Sequence, residues 1–412
     1  MYDIADPKYF DDAAIDQELR RVFDVCHTCR MCFNYCPSFP SLFNAIDRHG
    51  DDEVAALTTV EMNEVVDLCY QCKLCYVKCP YTPPHKFAVD LPRLLFRAKL
   101  ARVRKSGVPL RERILGDPDR LGRLSTGPIA RVVNWANRQP LLRRAVEKAL
   151  GIHRNRLLPR FARVTFAKWL ARRKHEAVEG EPVVLFETCT VNYNRPEVGV
   201  AAVQVLEHNG KRIERPDVVC CGMPALDGGD IEAAREKIRH NVDVLLPLVH
   251  AGKTVVVLGP RCGMMMKSEW PQLVPTEECR EVSAAVMDIG EYLVKSKART
   301  DFVVPQGKVA YHVPCHLRAQ NIGQPFKTIF SAIPGTTVEA IEQCSAFDGT
   351  WGMKTEFYQL SRKCAGKLCK AVDRCGADCV ASDCLLAGIN VTEETGKTPL
   401  HPIEIVRNAY GL

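Results

Sequence analysis

The sequence predicts an α+β multidomain chain: a helical two-cluster domain, a basic helical linker, and a duplicated α/β cysteine-rich domain. Three observations carry this. Two cysteine runs of identical spacing lie at 26–36 and 69–79, and no alternating strand pattern surrounds them. From Arg93 to Lys174 the chain holds 23 Lys or Arg against 4 acidic residues, and Gly and Pro interrupt it repeatedly. From Pro182 onward, short β-branched runs alternate with helical ones, the composition of an α/β domain. With 412 residues there is room for two or three sizeable cores. The boundaries that follow are 1–92, 93–180, 181–300 and 301–412.

The first run is Cys26-His-Thr-Cys29-Arg-Met-Cys32-Phe-Asn-Tyr-Cys36-Pro37, and the second is Cys69-Tyr-Gln-Cys72-Lys-Leu-Cys75-Tyr-Val-Lys-Cys79-Pro80. Both read C-x2-C-x2-C-x3-C-P, the spacing of proteins that hold two [4Fe–4S] clusters. Three thiolates two residues apart wrap one face of a cubane. The fourth, displaced by the extra residue and the proline, reaches the other cluster. The expected sets are therefore Cys26, Cys29, Cys32 and Cys79 for one cluster, and Cys69, Cys72, Cys75 and Cys36 for the other. Zinc sites usually draw cysteines as two separated pairs. Disulfide frameworks belong to small secreted domains. Helices are expected at 12–25, Ser41–Asp47 and Thr59–Leu68, which suggests a helical two-cluster domain rather than a small β-rich ferredoxin.

Apolar content of 46% and charged content of 25% are those of an ordinary globular protein. The acidic stretch Met1–Glu18 lacks the apolar core of a secretory signal. No apolar run reaches the roughly 18 residues of a membrane-spanning helix. Twenty cysteines without an export signal imply a reducing compartment and metal ligation. The expectation is a cytoplasmic protein.

The basic segment carries a balance of +19, leaving −12 for the rest of a chain whose total is +7. A single-signed stretch of this length usually has a partner of opposite sign. Leu91, Leu94, Leu95 and Ala98 share one helical face, with Arg93, Arg97, Arg102 and Arg104 off it. A second amphipathic piece, 157–174, mixes Phe161, Val164, Phe166, Trp169 and Leu170 with cations. Gly107, Pro109, Gly116, Pro118, Gly127, Pro128 and Pro140 divide the region into short helices. The expected partner is an anionic membrane surface or an acidic protein. The alternative is a basic face packed on the chain's own acidic remainder. Nucleic acid is the weaker reading, because no DNA- or RNA-binding motif accompanies the charge.

The second half repeats itself. Val183–Cys189 matches Val309–Cys315, Cys220-Cys221-Gly222 matches Cys344-Ser345-Ala346, and Gly259-Pro-Arg-Cys262 matches Ala381-Ser-Asp-Cys384. Strands are expected at Val183–Phe186, Thr254–Leu258, Lys308–His312 and Asp378–Ala381. Helices are expected at Pro196–Asn209, Ile231–Leu246, Phe357–Val372 and Pro402–Ala409. Loops at the carboxyl ends of strands share one edge of an α/β sheet, so the thiols can converge. The candidate ligands of a further metal site are Cys189, Cys220, Cys221, Cys262, Cys315, Cys344 and Cys384.

The duplicated Cys-Cys-Gly element, with its upstream and downstream cysteines, resembles the CCG cysteine-rich domains of heterodisulfide reductases. A two-cluster ferredoxin domain followed by two such domains also resembles the iron–sulfur subunit of anaerobic glycerol-3-phosphate dehydrogenase and related glycolate and lactate oxidase subunits. The resemblance covers nearly the whole chain, apart from about twenty amino-terminal residues and parts of the linker. It implies electron transfer through the ferredoxin-type motifs and an additional iron–sulfur cluster in the CCG domains. Cys344-Ser345 stands where a cysteine pair is expected, and each repeat closes on a single cysteine, Cys262 or Cys384. This depleted pattern looks more like the glycerol-phosphate dehydrogenase type than the heterodisulfide-cleaving type.

Other residues carry weaker signals. Cys364 and Cys369 sit in a helical run and read as packing residues, with Leu360, Cys364 and Leu368 on one face. Cys375 and Cys379 are evenly balanced between ligand and core, and Cys279 has no partner signal. His312 and His316 flank Cys315 and read first as structural. The glycine loops Asp227-Gly-Gly-Asp230 and Asp348-Gly-Thr-Trp-Gly352 read as turns beside the cysteine site. No dinucleotide or P-loop motif is present, so no flavin or NAD of its own is expected. The expected function is an electron-transfer subunit, not catalytic alone, between a flavoprotein dehydrogenase or other redox protein and quinone or another acceptor. Its expected place is peripheral, on the inner face of the cell membrane. The rivals are a heterodisulfide or thiol–disulfide reductase using a carboxyl-terminal cluster, and a soluble redox partner or sensor.

Overall fold

The computed structural model describes residues 2–173 and 180–412, the side chains of 51–53 excepted. Lys174, the last residue of the predicted basic segment, lies outside them. The chain divides into two compact units between Pro109 and Leu110.

The first unit is helical. Helix α1 (Asp12–Cys29) starts where the Asp11 carboxylate accepts the Ala14 amide at 2.8 Å. It runs on through Cys26 and Cys29, one turn beyond the predicted end, and stops where Arg30 turns left-handed. Helix α2 (Ser38–Arg48) follows the first cysteine run. Helix α3 (Thr59–Asp67) is opened by a Thr58–Glu61 capping box. Then come α4 (Leu74–Lys78) and α5 (Leu91–Ser106). Val22, Phe23, Leu42, Phe43, Ile46, Val65 and Leu94 form the buried centre.

Helix α5 crosses the boundary drawn at residue 92. Its Leu91, Leu94, Leu95 and Ala101 belong to that same core, so it is part of the first unit. Its cations are also spent within the unit. Arg97, expected off the buried stripe, is 7% exposed and donates to the carbonyls of Tyr9 and Lys8 at 2.6 and 2.5 Å. Arg102 pairs with Asp67 and Lys105 with Asp12. For this helix the acidic remainder of the chain is the partner.

The second unit opens with five short helices, α6 (Leu110–Gly116), α7 (Pro118–Ser125), α8 (Ala130–Ala136), α9 (Pro140–Leu150) and α10 (Phe166–Arg172). The first α/β repeat then contains β1 (Glu181–Phe186), α11 (Cys189–Tyr193), α12 (Pro196–His208), β2 (Lys211–Glu214), α13 (Met223–Asp227), α14 (Ile231–His250), β3 (Thr254–Val257), α15 (Pro260–Met264), α16 (Trp270–Leu273), α17 (Glu277–Ala284), β4 (Val286–Asp288) and α18 (Ile289–Lys295). The second contains β5 (Gly307–His312), α19 (Cys315–Ala319), α20 (Pro325–Ser331), β6 (Thr336–Ile341), α21 (Tyr358–Cys375), β7 (Cys379–Ser382), α22 (Gly388–Thr395) and α23 (Pro402–Tyr410).

Both sheets are parallel, in the orders β2-β1-β3-β4 and β6-β5-β7. Val183 registers with Thr254, and Val309 with Cys379. A parallel bridge from Ala381 to Leu400 stands where the second repeat would have its fourth strand. The repeats share one core. Val183, Leu185 and Val256 of the first sheet are buried with Val309, Tyr311 and Ala381 of the second, through Val198, Phe326 and Val406 on intervening helices. Parallel strands covered on both faces must be apolar where they are buried, which is why β1, β3 and β5 carry the apolar stretches 183–186, 255–257 and 309–311. No helix among the described residues is long and apolar enough to cross a membrane.

Candidate metal centres

In the first unit the two cysteine runs exchange their fourth members. Cys26, Cys29, Cys32 and Cys79 line one small apolar cavity with Met31, Phe43, Tyr81 and Val89. Cys36, Cys69, Cys72 and Cys75 line another with Phe39, Tyr70, Leu91 and Leu95. The turns that bring the thiols inward use left-handed residues other than glycine, at Arg30, Gln71 and Lys73. Such conformations cost of order 1 kcal/mol or more each and cluster at functional loops. Two donors point at sulfur: Gln71 Nε2 lies 3.3 Å from Cys69 Sγ, and the Tyr81 amide 3.4 Å from Cys79 Sγ.

Burial, and then the neighbouring Cys32, Cys79 and Cys29, push the Cys26 thiol far up. Burial, followed by Cys72, Cys69 and Cys36, does the same to Cys75. Four thiols that oppose one another's ionisation in an apolar pocket are a donor set that a cationic iron–sulfur core would relieve, and the residues fit such a group. No set of three or more His, Cys, Asp or Glu side chains among the described residues is arranged to hold a single metal ion.

In the second unit, the strands' carboxyl ends carry the thiols. Thr188 caps α11 so that Cys189 opens it directly after β1. Cys220 and Cys221 precede Gly222, which turns left-handed at φ +91°. A Cβ on Gly222 would stand 3.2 Å from the Ala234 carbonyl, so the turn admits only glycine without strain. Three contacts from other elements fix the pair. The Asp119 carboxylate of α7 accepts the Cys220 amide at 2.8 Å, Asn241 Nδ2 donates to the Cys220 carbonyl at 3.2 Å, and Trp270 Nε1 donates to the Cys221 carbonyl at 2.9 Å. Cys262 sits in α15, just after β3, with its sulfur 3.3 Å from that of Cys221.

The four thiols of the first repeat therefore form a connected group. A hydrogen bond to Cys220, and then burial, hold the Cys189 thiol well above its ordinary value. The hydrogen bond with Cys221 holds Cys262 down, but burial together with Cys189 and Cys220 raises it on balance. Above them lies a cavity of about 350 Å³, on which Cys189, Cys221, Cys262 and Cys384 all open. Its far walls are apolar and come from the basic segment, including Leu121, Val133, Val146, Leu158 and Phe161. The segment expected to link domains thus roofs the cysteine site.

Arg261, beside Cys262, is gripped by both glycine loops singled out in the sequence. It pairs with Asp227, and donates to Asp348 at 2.8 Å. At the matching position of the second repeat stands Asp383, buried beside Cys384 and hydrogen-bonded by Tyr311 Oη at 2.7 Å. Burial, and then Asp288, push its carboxyl well above the usual range. Sequence reasoning named neither Arg261 nor Asp383 as a site residue; their place next to the matched cysteines was the available signal.

The remaining candidates lie elsewhere on their elements than the cavity wall. Cys315 opens α19 after β5 with its sulfur 3.7 Å from His316 Nδ1, and Cys344 Sγ accepts the Ala346 amide at 3.2 Å. Neither opens on the cavity. His312 is structural: burial holds it down to about 4, and it bonds Ser382 Oγ at 2.8 Å. Cys379 starts β7 while Cys384 follows its other end, so the strand, roughly 10 Å long at 3.3 Å per residue, separates them. Cys375 lies beside Lys308, at the amino end of β5, and so away from the strands' carboxyl ends. Cys279 and Cys369 are buried on α17 and α21, while Cys364 is only partly buried.

A helical domain with paired four-thiol pockets, followed by two parallel α/β repeats with cysteines at their strand ends, defines an iron–sulfur protein of the electron-transport, oxidoreductase class. Comparison with known families and proteins agrees. The citrate utilization protein B Fer4-like domain matches residues 19–106, and the CCG cysteine-rich domain matches 183–267 and again 309–386. Among relatives, an anaerobic glycerol-3-phosphate dehydrogenase subunit of Escherichia coli (strain K12) is 29% identical over 320 residues, 76% of this chain and 80% of its own length. A fumarate reductase (CoM/CoB) subunit of Methanothermobacter marburgensis is 25% identical over 232 residues, covering 55% of this chain and 45% of its own. Lactate utilization protein A of Bacillus cereus (strain ATCC 14579) is 28% identical over 214 residues, 49% of this chain and 87% of its own.

Proposed function

We propose that the chain is the electron-carrying subunit of a dehydrogenase complex, moving electrons between a flavoprotein of the glycerol-3-phosphate or hydroxy-acid type and a quinone or comparable acceptor. The observation that carries this reading is the exchange of fourth cysteines between the two runs, which gives two four-thiol pockets in one small domain. In this reading, Cys26, Cys29, Cys32 and Cys79 hold one cubane, and Cys69, Cys72, Cys75 and Cys36 the other. Cys189, Cys220, Cys221 and Cys262 hold a further cluster, with Cys384 facing it from the second repeat. Bound clusters of this kind supply one-electron carriage at potentials set by charge, hydrogen bonds and exposure. The chain's own part is to bury the sulfurs, direct the Gln71 and Tyr81 donors at them, and keep bulk water from the second-unit thiols.

The names of the relatives support a redox-enzyme partner, and the missing dinucleotide fingerprint supports placing the flavin on that partner. The basic segment supports a membrane-facing role. Val132, Trp135, Leu141 and Leu142 are exposed on α8 and α9 among Arg131, Arg138 and Arg144, the mixture that interfacial helices carry. A thiol–disulfide reductase remains the second reading, favoured by the 3.3 Å contact of Cys221 and Cys262 at the cavity floor. The test is to purify the chain anaerobically alone and with its co-purifying proteins. Electron transfer from substrate should require a flavoprotein partner. Stoichiometric flavin released from the isolated chain, with substrate oxidation by that chain alone, would refute the reading.

A further inference from the structure

The basic segment encloses a second cavity, of about 630 Å³, that backs onto the thiol cavity and shares Asn137, Leu158 and Pro159 with it. Six arginines line it: Arg138, Arg143, Arg144, Arg154, Arg156 and Arg160. Among the described residues its single carboxylate, Glu393, is already engaged by Arg156 at 2.7 Å and by the Leu157 amide. Arg154 is paired with Glu147, and Arg156 also bonds Asn390 and the Gly352 carbonyl. The exposed Arg138, Arg144 and Arg160 rim the cavity.

Arg143 lies in the wall of the cavity. It is only 4% exposed. Its Nε donates to the Arg154 carbonyl at 3.1 Å, and its Nη2 to the carbonyls of His153 and Arg156 at 2.7 and 3.0 Å. Its Nη1 has no hydrogen-bond partner among the described residues. A buried, unpaired guanidinium donor is costly. Burial also weighs against its charge, and the nearby carboxylates Glu147 and Glu393 offset this only in part. Three carbonyls hold the side chain in a fixed orientation in the wall of the cavity. Several arginines around one space match a tetrahedral oxyanion, which offers several acceptors and a charge of one to two.

We propose that this arginine cavity binds a phosphate group, carried on an anionic phospholipid headgroup or on a soluble phosphate. The membrane-facing reading bears only on the source; the pocket's chemistry does not depend on it. The exposed Trp135, Leu141 and Leu142 on the flanking helices suit the lipid source.

The experiment uses the anaerobically purified full chain. Isothermal titration calorimetry is run with inorganic phosphate and with dihexanoyl phosphatidylglycerol below its micelle-forming concentration. The variants are R143Q, the rim pair R144Q/R160Q, and R374Q as a remote control. One or both probes should bind. R144Q/R160Q should weaken binding at least tenfold with an unchanged melting temperature, and R374Q less than twofold. If R143Q fails to fold, the rim pair decides. Phosphatidylglycerol bound and displaced by phosphate identifies the headgroup as the source. Phosphate alone bound identifies the soluble source. Neither probe bound at millimolar concentration, or the rim pair binding as wild type, overturns the proposal. Flotation on anionic vesicles separates the two readings, because it can persist while the pocket is inactive and be lost while the pocket still binds phosphate.

Discussion

Gly222 and Ala346 occupy matching positions after the first and second cysteine turns, and both are left-handed, at φ +91° and +51°. Glycine takes that conformation freely; alanine is strained by roughly 1–2 kcal/mol. The strain at Ala346 is held in place by two contacts: its carbonyl accepts Ser361 Oγ, and the Ser345 carbonyl accepts Asn390 Nδ2, each at 2.7 Å. Opposite substitutions should therefore have opposite signs. G222A should lower stability by about 1–2 kcal/mol and A346G should raise it by about 0.5–1 kcal/mol, read as shifts in melting temperature. A second residue-scale prediction concerns His401. Burial, with Arg195 adding, pushes it down to about 3, while its Nδ1 accepts the Ile403 amide at the start of α23. A histidine depressed in the fold is neutral there and protonated in the unfolded chain at intermediate pH. The stability it contributes is present above about pH 6.5 and is lost as pH falls toward 3. H401N keeps a capping acceptor and cannot titrate. Across that window the wild type should lose more stability than H401N; parallel pH profiles would contradict this.

At the scale of elements, the strands legible in the sequence were β1, β3, β5 and β7, and the missed ones were β2, β4 and β6. The missed strands are sheet edges. β2 reads Lys-Arg-Ile-Glu, β4 has three residues, and β6 alternates between part-buried and exposed along most of its length. An edge strand takes its pairing from a neighbour and needs no apolar run, so composition does not announce it. The basic segment shows the same limit. Its charge was legible, but its division was not. α5 spends its cations on Asp12, Asp67 and the amino-terminal carbonyls, whereas α8 and α9 keep exposed cations among exposed apolar residues. Whether a helix packs inward depends on long-range partners that a local pattern does not contain. The membrane prediction therefore belongs to residues 110–173. Attraction of about 1 kcal/mol per basic residue near an anionic surface is typical, and salt screens it. In vesicle flotation, W135S/L141S/L142S should reduce binding to anionic vesicles several-fold at low salt, and R97Q should not. Equal binding of wild type to neutral and anionic vesicles would count against the assignment.

At the scale of the molecule, the site was legible wherever covalent spacing alone determines it. The C-x2-C-x2-C-x3-C-P runs bring three thiols of each together through short turns, and the spacing of the fourth marks it for the cluster of the other run. The second-unit site was legible only as far as its repeat. Cys189, Cys221, Cys262 and Cys384 meet at one cavity because parallel strands end on one edge. That Asp119 holds the Cys220 amide, or that Asp227 and Asp348 grip Arg261, depends on contacts between segments 34 to 101 residues apart, with no spacing rule to reveal them. The central claim is that the amino-terminal unit holds two cubane clusters with exchanged fourth ligands. Iron content and electron paramagnetic resonance of the anaerobically purified full chain, compared with C79S and C36S, test it most directly. About eight irons are expected from this unit. C79S should perturb the cluster of Cys26, Cys29 and Cys32, so that C26S and C79S alter the same signal, while C36S and C69S alter the other. Stoichiometric zinc in place of iron, or C79S and C69S altering one signal while C26S and C36S alter the other, would contradict it.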